Sequence, residues 1–550
     1  MPYNPLSVLV VTLLGLALYR LQQWTQDRKK LPLPPKAPGL PIIGSLLEIL
    51  AATKTGQQHL LVAKWARAYG DIVRIHAGPF TQYFLNSDAV VKEIFDKQSS
   101  TSSERPRWIV SNEQICNGKN VLLLPASNPV WKLQRKVILQ GMTSVPRADA
   151  GLPYLHYETA KFLKDVASNE RLATSSVNLF NEVGRYTYSV FASQTFGMDI
   201  PNADSPAIEY IFRSGLEQIL GTLPGSHLVD ILPVLDRLPL FMKPWESKAR
   251  ALFQDNMKWC TERMHRVEAS IRAGTASDSF LSRVLQDERN MGFSDPSDAA
   301  YLAFMLIIGA ADTSKMSTWS FLEAMMRFPD VQAKALQEIE AVVGVADRLP
   351  VYDDLEKIPY VRYLMKEVWR WRPPVALGHP HTTTRELTYN GHRIPKGSHL
   401  YLNAWAIGHD PKRHQDPERF WPERYEGDLT TSEESKNSSD VKKRDHFAFG
   451  SGRRICPGYH VAERSLAIAI MRLVWAFEIV PAKGAKLPLD PNDYPGEMPG
   501  NPGEHMPVVL RVRSEAKKRV IEREFEKEKA VHPQMVSLSG SLVIMCANGF

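Results

Sequence analysis

The sequence predicts a mainly α-helical domain with small β-sheets, on three observations. From Leu46 to Phe328 helical patterning recurs between turn signals, and a long helix is expected from about Asp298 to Arg327. Short β-prone runs, "DIVRIHAG" and "TQYFLNS", lie near the start, and "ELTYNGHRIPKGSHLYLNAWAI" alternates like short strands around a hairpin signal at Asn390-Gly391. No stretch between Leu46 and Arg513 resembles an interdomain linker, and there is no internal repeat.

Composition supports a folded chain able to bury a sizeable core: 550 residues, 44% hydrophobic and 23% charged. The four cysteines, Cys116, Cys260, Cys456 and Cys546, are scattered and form no CxxC. That spacing argues against a zinc site and a disulfide framework, and it suits a reducing compartment. The net charge of +7 suits an anionic membrane surface or an acidic protein partner. No basic stripe with interleaved aromatics is present, so no nucleic-acid partner is expected.

Residues 1–24 read as a membrane anchor. "LSVLVVTLLGLALY", Leu6 to Tyr19, carries no charge, and with its flanks it approaches the roughly 20 residues needed to cross a bilayer. A cleaved secretory signal is the alternative. Against it, no Lys or Arg precedes the run, while Arg20, Arg28, Lys29 and Lys30 follow it. This charge order keeps the bulk of the chain cytosolic.

Residues 25–45 form a linker containing Pro32, Pro34, Pro35, Pro38 and Pro41, expected to act as a semi-rigid spacer. A single domain is expected over 46–513. Within it a helix should start at Pro329 and stop near Gly344. Another should run from Pro359 to Trp371, ending before Pro373-Pro374. Gly427 to Asp445 reads as a polar surface loop. Residues 514–550 are an extension of unknown role, part charged helix former and part apolar. It packs on the body, touches the membrane, or is a gene-model artefact; the sequence leaves these open.

Chemistry concentrates in "FAFGSGRRICPGYH", Phe447 to His460. A thiolate ligand to a metal needs stabilisation, because burial alone raises a cysteine pKa. Gly450, Gly452 and Gly458 allow backbone N–H groups to approach the Cys456 sulfur. Pro457 suits the first position of a helix, whose dipole favours a negative sulfur. Arg454 suits an anionic group on a flat ligand, and Phe449 shields the sulfur face. The loop matches F-x-x-G-x-R-x-C-x-G at Phe449, Gly452, Arg454, Cys456 and Gly458. This pattern resembles the haem-binding loop of the cytochrome P-450 family, the haem-thiolate monooxygenases. The resemblance covers roughly residues 30 to 513 and is strongest after Ala303.

The companions of that loop fit the same resemblance. Glu367 and Arg370 form an ExxR pair on one helix face. By resemblance, Arg424 in "DPERFWPERY" joins them in a buried structural network. "GAADTS", Gly309 to Ser314, is similar to the family's oxygen-activation motif. The resemblance implies that Thr313 steadies dioxygen and that Asp312 helps to deliver protons. Ala310 stands where that motif most often has glycine, which bears on substrate fit. Trp131 and Arg135 match the family's WxxxR, and Pro380-His381 falls where a propionate donor is placed. With Arg454 these make a plausible set for a bound haem b (iron protoporphyrin IX).

The resemblance implies a P-450 fold, with haem between the long central helix and the Cys-ligand loop. It implies a monooxygenase inserting one oxygen of O2 into a lipophilic or aromatic small molecule. Because no flavin or NADPH motif is present, electrons would come from a membrane-bound NADPH–cytochrome reductase, with the protein anchored at the endoplasmic reticulum. The finer pattern looks most like fungal enzymes of specialised metabolism. A haem-thiolate isomerase or dehydratase and a non-enzymatic haem carrier or sensor are the alternatives. Family-like pocket positions are the Arg105 to Val121 loop, Phe304, Ile308, Val375, Ala376, Leu377 and the Gly500 to Glu504 turn.

Overall fold

The computed structural model describes residues 30–77, 80–221, 226–486, 488–496, 498–532 and 536–537. The expected anchor, residues 1–24, and Cys546 lie outside the described residues. The strands used below are β1 (Ile72–Ala77), β2 (Phe80–Leu85), β3 (His381–Thr382), β4 (Leu387–Tyr389), β5 (His392–Ile394), β6 (His399–Leu402), β7 (Phe477–Pro481) and β8 (Val508–Val512). The expected early strands pair antiparallel, with Ile72 opposite Leu85. β6 joins β2 in parallel, and β3 completes the order β1-β2-β6-β3. Phe84 faces Tyr401 across the β2–β6 pair, their rings stacked at 4.8 Å. β4 and β5 form the expected hairpin, with Asn390 (φ 44°) and Gly391 (φ 74°) in the left-handed conformations of its turn.

The proline-rich segment lies on the body rather than standing off from it. Ala37 N–H donates to the Arg74 carbonyl at 2.9 Å and Arg74 N–H to the Pro35 carbonyl at 2.8 Å. Arg393 N–H donates to the Pro32 carbonyl at 2.9 Å. Prolines lack an N–H but keep a carbonyl, so they serve as acceptors along a sheet edge.

The helices used below are α1 (Pro129–Ile138), α2 (Leu152–Ser168), α3 (Ser176–Phe196), α4 (Pro206–Leu220), α5 (Pro244–Arg272), α6 (Pro296–Arg327), α7 (Pro329–Val343), α8 (Pro359–Trp371), α9 (Tyr459–Ala476) and α10 (Glu515–Val531). The central helix α6 starts where the Asp295 side chain accepts from Ser297 N–H and Pro296 takes the first turn. It ends at Phe328, before Pro329. At 32 residues it spans about 48 Å. Although long and apolar enough to cross a membrane, it is packed inside the body between α3, α5 and α9. α7 and α8 match the expected helices, and α8 ends before the Pro373-Pro374 pair.

Two segments are better integrated than their composition suggests. Within Gly427 to Asp445, Ser432–Asn437 forms a short helix. There Ser435 Oγ donates to Asp445 Oδ1 at 2.7 Å, both residues being buried. Beyond Arg513, α10 lays Val520, Ile521 and Phe525 against the core, with Phe525 stacked on Tyr157 of α2 at 5.9 Å. Lys517 Nζ donates to Glu340 Oε1 at 2.6 Å and to the Trp475 carbonyl at 2.8 Å. The charged face of this helix hides a three-residue apolar stripe, and that stripe seats it.

Several histidines are built in uncharged. Burial lowers His59 to about 4, helped by Arg372, and His156 to about 3, helped by Arg472. Burial alone takes His532, just past α10, to about 4. An unfolded chain takes up these protons first, near pH 6.5. Their contribution to stability is therefore complete above about pH 6.5 and is lost as pH falls toward the folded values. Urea midpoints at pH 5 should lie below those at pH 7.5, and His156→Gln should flatten that dependence.

Candidate active site

The loop from Phe447 to Gly458 closes on itself. Cys456 N–H donates to the Phe449 carbonyl at 2.8 Å, and Gly450 N–H donates to that of Phe447 at 2.9 Å. Gly452 adopts φ +66°, and a Cβ there would lie 2.0 Å from the Phe95 carbonyl oxygen. No other residue fits that approach. Pro457 and Gly458 form a turn, and α9 begins at Tyr459, two residues later than the expected start at Pro457. The turn matters for the sulfur, because Gly458 N–H points at Cys456 Sγ from 3.3 Å. Burial pushes the thiol up, while the Gly458 amide and the Arg135 charge pull it back. One glycine thus serves the sulfur directly; Gly450 and Gly452 serve the turn and its packing. The Phe449 ring meets Trp369 of α8 edge-on at 4.9 Å.

Behind this loop stands the expected ion network. Glu367 accepts from Arg370 through both oxygens, at 2.7 and 2.8 Å. It also accepts from Arg424 Nε at 3.1 Å and from Trp421 N–H at 2.7 Å. Arg370 donates further to the carbonyls of Gly408, Pro417 and Arg419. All three side chains are buried.

A cationic cluster adjoins the cysteine. Trp131 and Arg135 lie one turn apart on α1, whose start is capped by the Asn128 side chain. Arg135 Nη2 donates to the Ile455 carbonyl at 3.0 Å. Arg454 stacks over the Trp131 ring at 4.5 Å and donates to the Ser103 carbonyl at 2.9 Å. Arg105 donates to the carbonyls of Leu122, His379 and Pro380. Among the described residues, the hydrogen bonds of these three guanidiniums run to main-chain carbonyls, and no carboxylate is bonded to them. Burial, then repulsion from Arg454, lowers Arg105. Burial likewise takes Arg454 to about 10, Glu104 opposing and Arg135 adding to the fall. Such a set stabilises a bound dianion, which is what the two propionates of haem present.

Within this cluster His381 turns one ring nitrogen to the main chain. Its Nδ1 is 2.8 Å from the Ser102 carbonyl, which can only accept, so Nδ1 carries the proton. Burial and Arg105 hold the ring neutral, so Nε2 is an acceptor. Arg105 supplies the additional donor groups. In the sequence nothing separates it from Arg107, which is exposed and pairs with Glu113 at 2.6 Å.

On α6, Thr313 Oγ1 donates to the Gly309 carbonyl at 3.0 Å, and Asp312 Oδ1 accepts from Tyr188 OH at 2.7 Å. One turn on, Ser317 Oγ donates to the Thr313 carbonyl at 2.9 Å and accepts from Trp369 Nε1 at 3.3 Å. Trp369 touches Phe449, so a chain of contacts links Thr313 to the cysteine loop. Ala310 is half-buried against the apolar cluster on the α4 and α5 side of α6. Two expected pocket positions are core residues instead. Phe304 is fully buried beside Trp259 and Tyr210, and Ala376 is buried beneath Trp405, whose N–H its carbonyl accepts. Ile308, Val375 and Leu377 are half-buried, Ile308 facing Gly215 of α4.

Residues 34–498 match the family model described as Cytochrome P450. The chain is 52% identical to a cytochrome P450 monooxygenase of Gibberella fujikuroi over 98% of this chain and 99% of that protein. It is 34% identical to the cytochrome P450 monooxygenase virE of Hypocrea virens, covering 86% of this chain and 84% of the relative. Among solved structures, a retinoic-acid-bound cyanobacterial CYP120A1 is similar with a TM-score of 0.65 at 20% identity. The match covers 88% of this chain and 100% of that one.

Removing the charge of Glu367 should leave two buried arginines without their shared partner. Glu367→Gln is expected to cost about 3–5 kcal/mol, read as a lowered denaturation midpoint with early loss of cofactor absorbance.

Proposed function

The chain belongs to the cytochrome P450 family and is a haem-thiolate monooxygenase, and from that premise we propose how its own residues serve the reaction. Cys456 Sγ is the iron ligand. Gly458 N–H and Arg135 favour its thiolate, against the burial that raises it. Arg105, Arg135 and Arg454 hold the haem propionates, Trp131 carries Arg454, and Phe449 covers the sulfur side. His381 fixes Ser102 beside them through Nδ1. The carrying observation is the arginine cluster: three guanidiniums, bonded among the described residues only to carbonyls, stand beside a cysteine that receives a backbone N–H.

Bound through a thiolate, haem supplies the redox chemistry by which O2 and two electrons yield one oxygen for a substrate C–H bond and one for water. Thr313 offers its hydroxyl oxygen as an acceptor, because its proton is given to Gly309. Asp312 supplies protons from a site fixed by Tyr188. This acid–alcohol pair favours oxygen activation over a haem-dependent isomerase or dehydratase, which can dispense with proton delivery, and over a haem carrier or sensor.

Family members use a redox partner and small-molecule substrates. For this chain we assign NADPH–cytochrome reductase as the partner and a lipophilic or aromatic molecule of fungal secondary-metabolite biosynthesis as the substrate. We place the protein at the endoplasmic reticulum membrane, anchored by residues 1–24 with residues 46–513 cytosolic. The apolar run followed by basic residues and the fungal relatives support this.

Cys456→Ala should abolish the thiolate-type CO spectrum of the reduced protein, and retention of that spectrum would sink the ligand assignment. Thr313→Ala should keep the spectrum but divert NADPH electrons several-fold toward hydrogen peroxide in a reductase-reconstituted assay. Haem binding with no NADPH-dependent product would weaken the substrate-oxidation reading. Comparing metabolites of a knockout with its parent identifies the substrate.

A further inference from the structure

About three turns beyond Thr313, the central helix holds two irregular segments from far along the chain. Glu323 of α6 is fully buried and accepts from Arg372 Nε at 3.0 Å and Arg372 Nη2 at 3.1 Å. It also accepts from Arg327 Nη1 and from Tyr494 OH, each at 3.1 Å. Burial works against its charge, but Arg372 and then Arg327 outweigh it and keep the carboxyl below its ordinary range. Burial, then the Glu323 charge, push the Tyr494 phenol up, so its hydroxyl stays a donor.

Arg372 and Tyr494 stand at the heads of the two segments. Arg372 precedes Pro373-Pro374 and leads into Val375, Ala376 and Leu377, while Tyr494 leads into the 500–504 turn. Pro373 and Pro374 carry no N–H, so their stretch is held through its carbonyls and through the Arg372 side chain. Neighbours of Glu323 on the same helix face repeat the pattern. Trp319 Nε1 donates to the Gly503 carbonyl at 3.0 Å, and Ser320 Oγ donates to Asn501 Oδ1 at 3.5 Å. Asn501 Nδ2 in turn faces the carbonyls of Pro373 and Pro374 at 3.4 and 3.3 Å, which joins the segments to each other. Trp405 meets both as well. Its N–H donates to the Ala376 carbonyl at 3.0 Å, and a Cβ on Gly500 (φ +83°) would stand 2.7 Å from its ring.

We propose that Glu323 is a positioning residue for substrate recognition. Its carboxylate sets the distance between the 373–377 wall and the 500–504 wall, and it refers both to the helix that carries Thr313. The substrate is thereby held at a fixed place relative to that hydroxyl. This rests on the reading of Val375, Leu377 and the 500–504 turn as pocket walls. A carboxylate suits the task because it takes donors from two segments at once, and a buried charge penalises any arrangement that leaves it unpaired.

The probes are imidazole and the bulkier 4-phenylimidazole, each of which binds ferric haem through nitrogen with an absorbance shift. The ratio of their Kd values reads the room between the walls. The holoenzymes compared are wild type, Tyr494→Phe, Glu323→Gln, the double variant Glu323→Gln/Arg372→Gln and Val375→Trp, each checked for an intact CO spectrum. Tyr494→Phe loses one hydrogen bond and should change the ratio about threefold, with imidazole itself little affected. Glu323→Gln should change it more; if that variant loses haem, Tyr494→Phe carries the test. The double variant relieves the unpaired Arg372 charge, so its urea midpoint should recover while the ratio stays altered. Val375→Trp should shift the ratio directly. An unchanged ratio in Tyr494→Phe and Glu323→Gln, or its recovery in the double variant, alongside a shift in Val375→Trp, would overturn the positioning role. An unchanged ratio in Val375→Trp would instead overturn the wall reading beneath it.

Discussion

Much of the structure beneath the site depends on one buried charge, Glu367. Its two oxygens hold Arg370 on its own helix, Arg424 on the segment that leads toward the cysteine loop, and the main chain at Trp421. Arg370 then fixes three further carbonyls from 408 to 419. A charge buried to this depth is costly alone and tolerable only when all its hydrogen-bonding positions are used. Here they are used on backbone that must otherwise lie without regular structure beneath the site. The network is therefore a means of shaping coil, and it has no part in the chemistry.

From that base the contacts pass inward. Trp369, a near neighbour of Arg370 on α8, touches both Phe449 and Ser317, and Ser317 bonds to the Thr313 carbonyl. The two halves of the site, cysteine loop and central helix, are thus referred to one rigid helix. Their separation is set by packed rings and directed hydrogen bonds, so a mobile surface loop has no say in it.

The three guanidiniums beside the cysteine set the electrostatics of the site. Among the described residues Arg105, Arg135 and Arg454 donate to carbonyls, and Arg454 repels both of the others. Asp312 Oδ1 accepts from the Tyr188 phenol. Arg185, by contrast with the three arginines, stands between Glu158 and Glu182.

Much of this was legible in the sequence, because it depends on neighbours in the chain. The cysteine loop, the ExxR pair, the long helix and its start and stop, and the Asn390-Gly391 turn are local patterns governed by backbone conformation and helical spacing. They determined the family resemblance, the cofactor and the ligand. What only the tertiary structure decided depends on residues far apart. Arg105 joins the cluster around 454 while Arg107 faces water. Phe304 turns into the core, and His381 is held neutral by burial beside Arg105. The proline segment lies along β1, and α10 docks on α2 through three apolar residues that its charged composition conceals. Tyr188, 124 residues from Asp312, meets it only because α3 packs on α6. Sequence spacing carries local geometry, whereas burial and the partner across a packed interface are properties of the assembled chain.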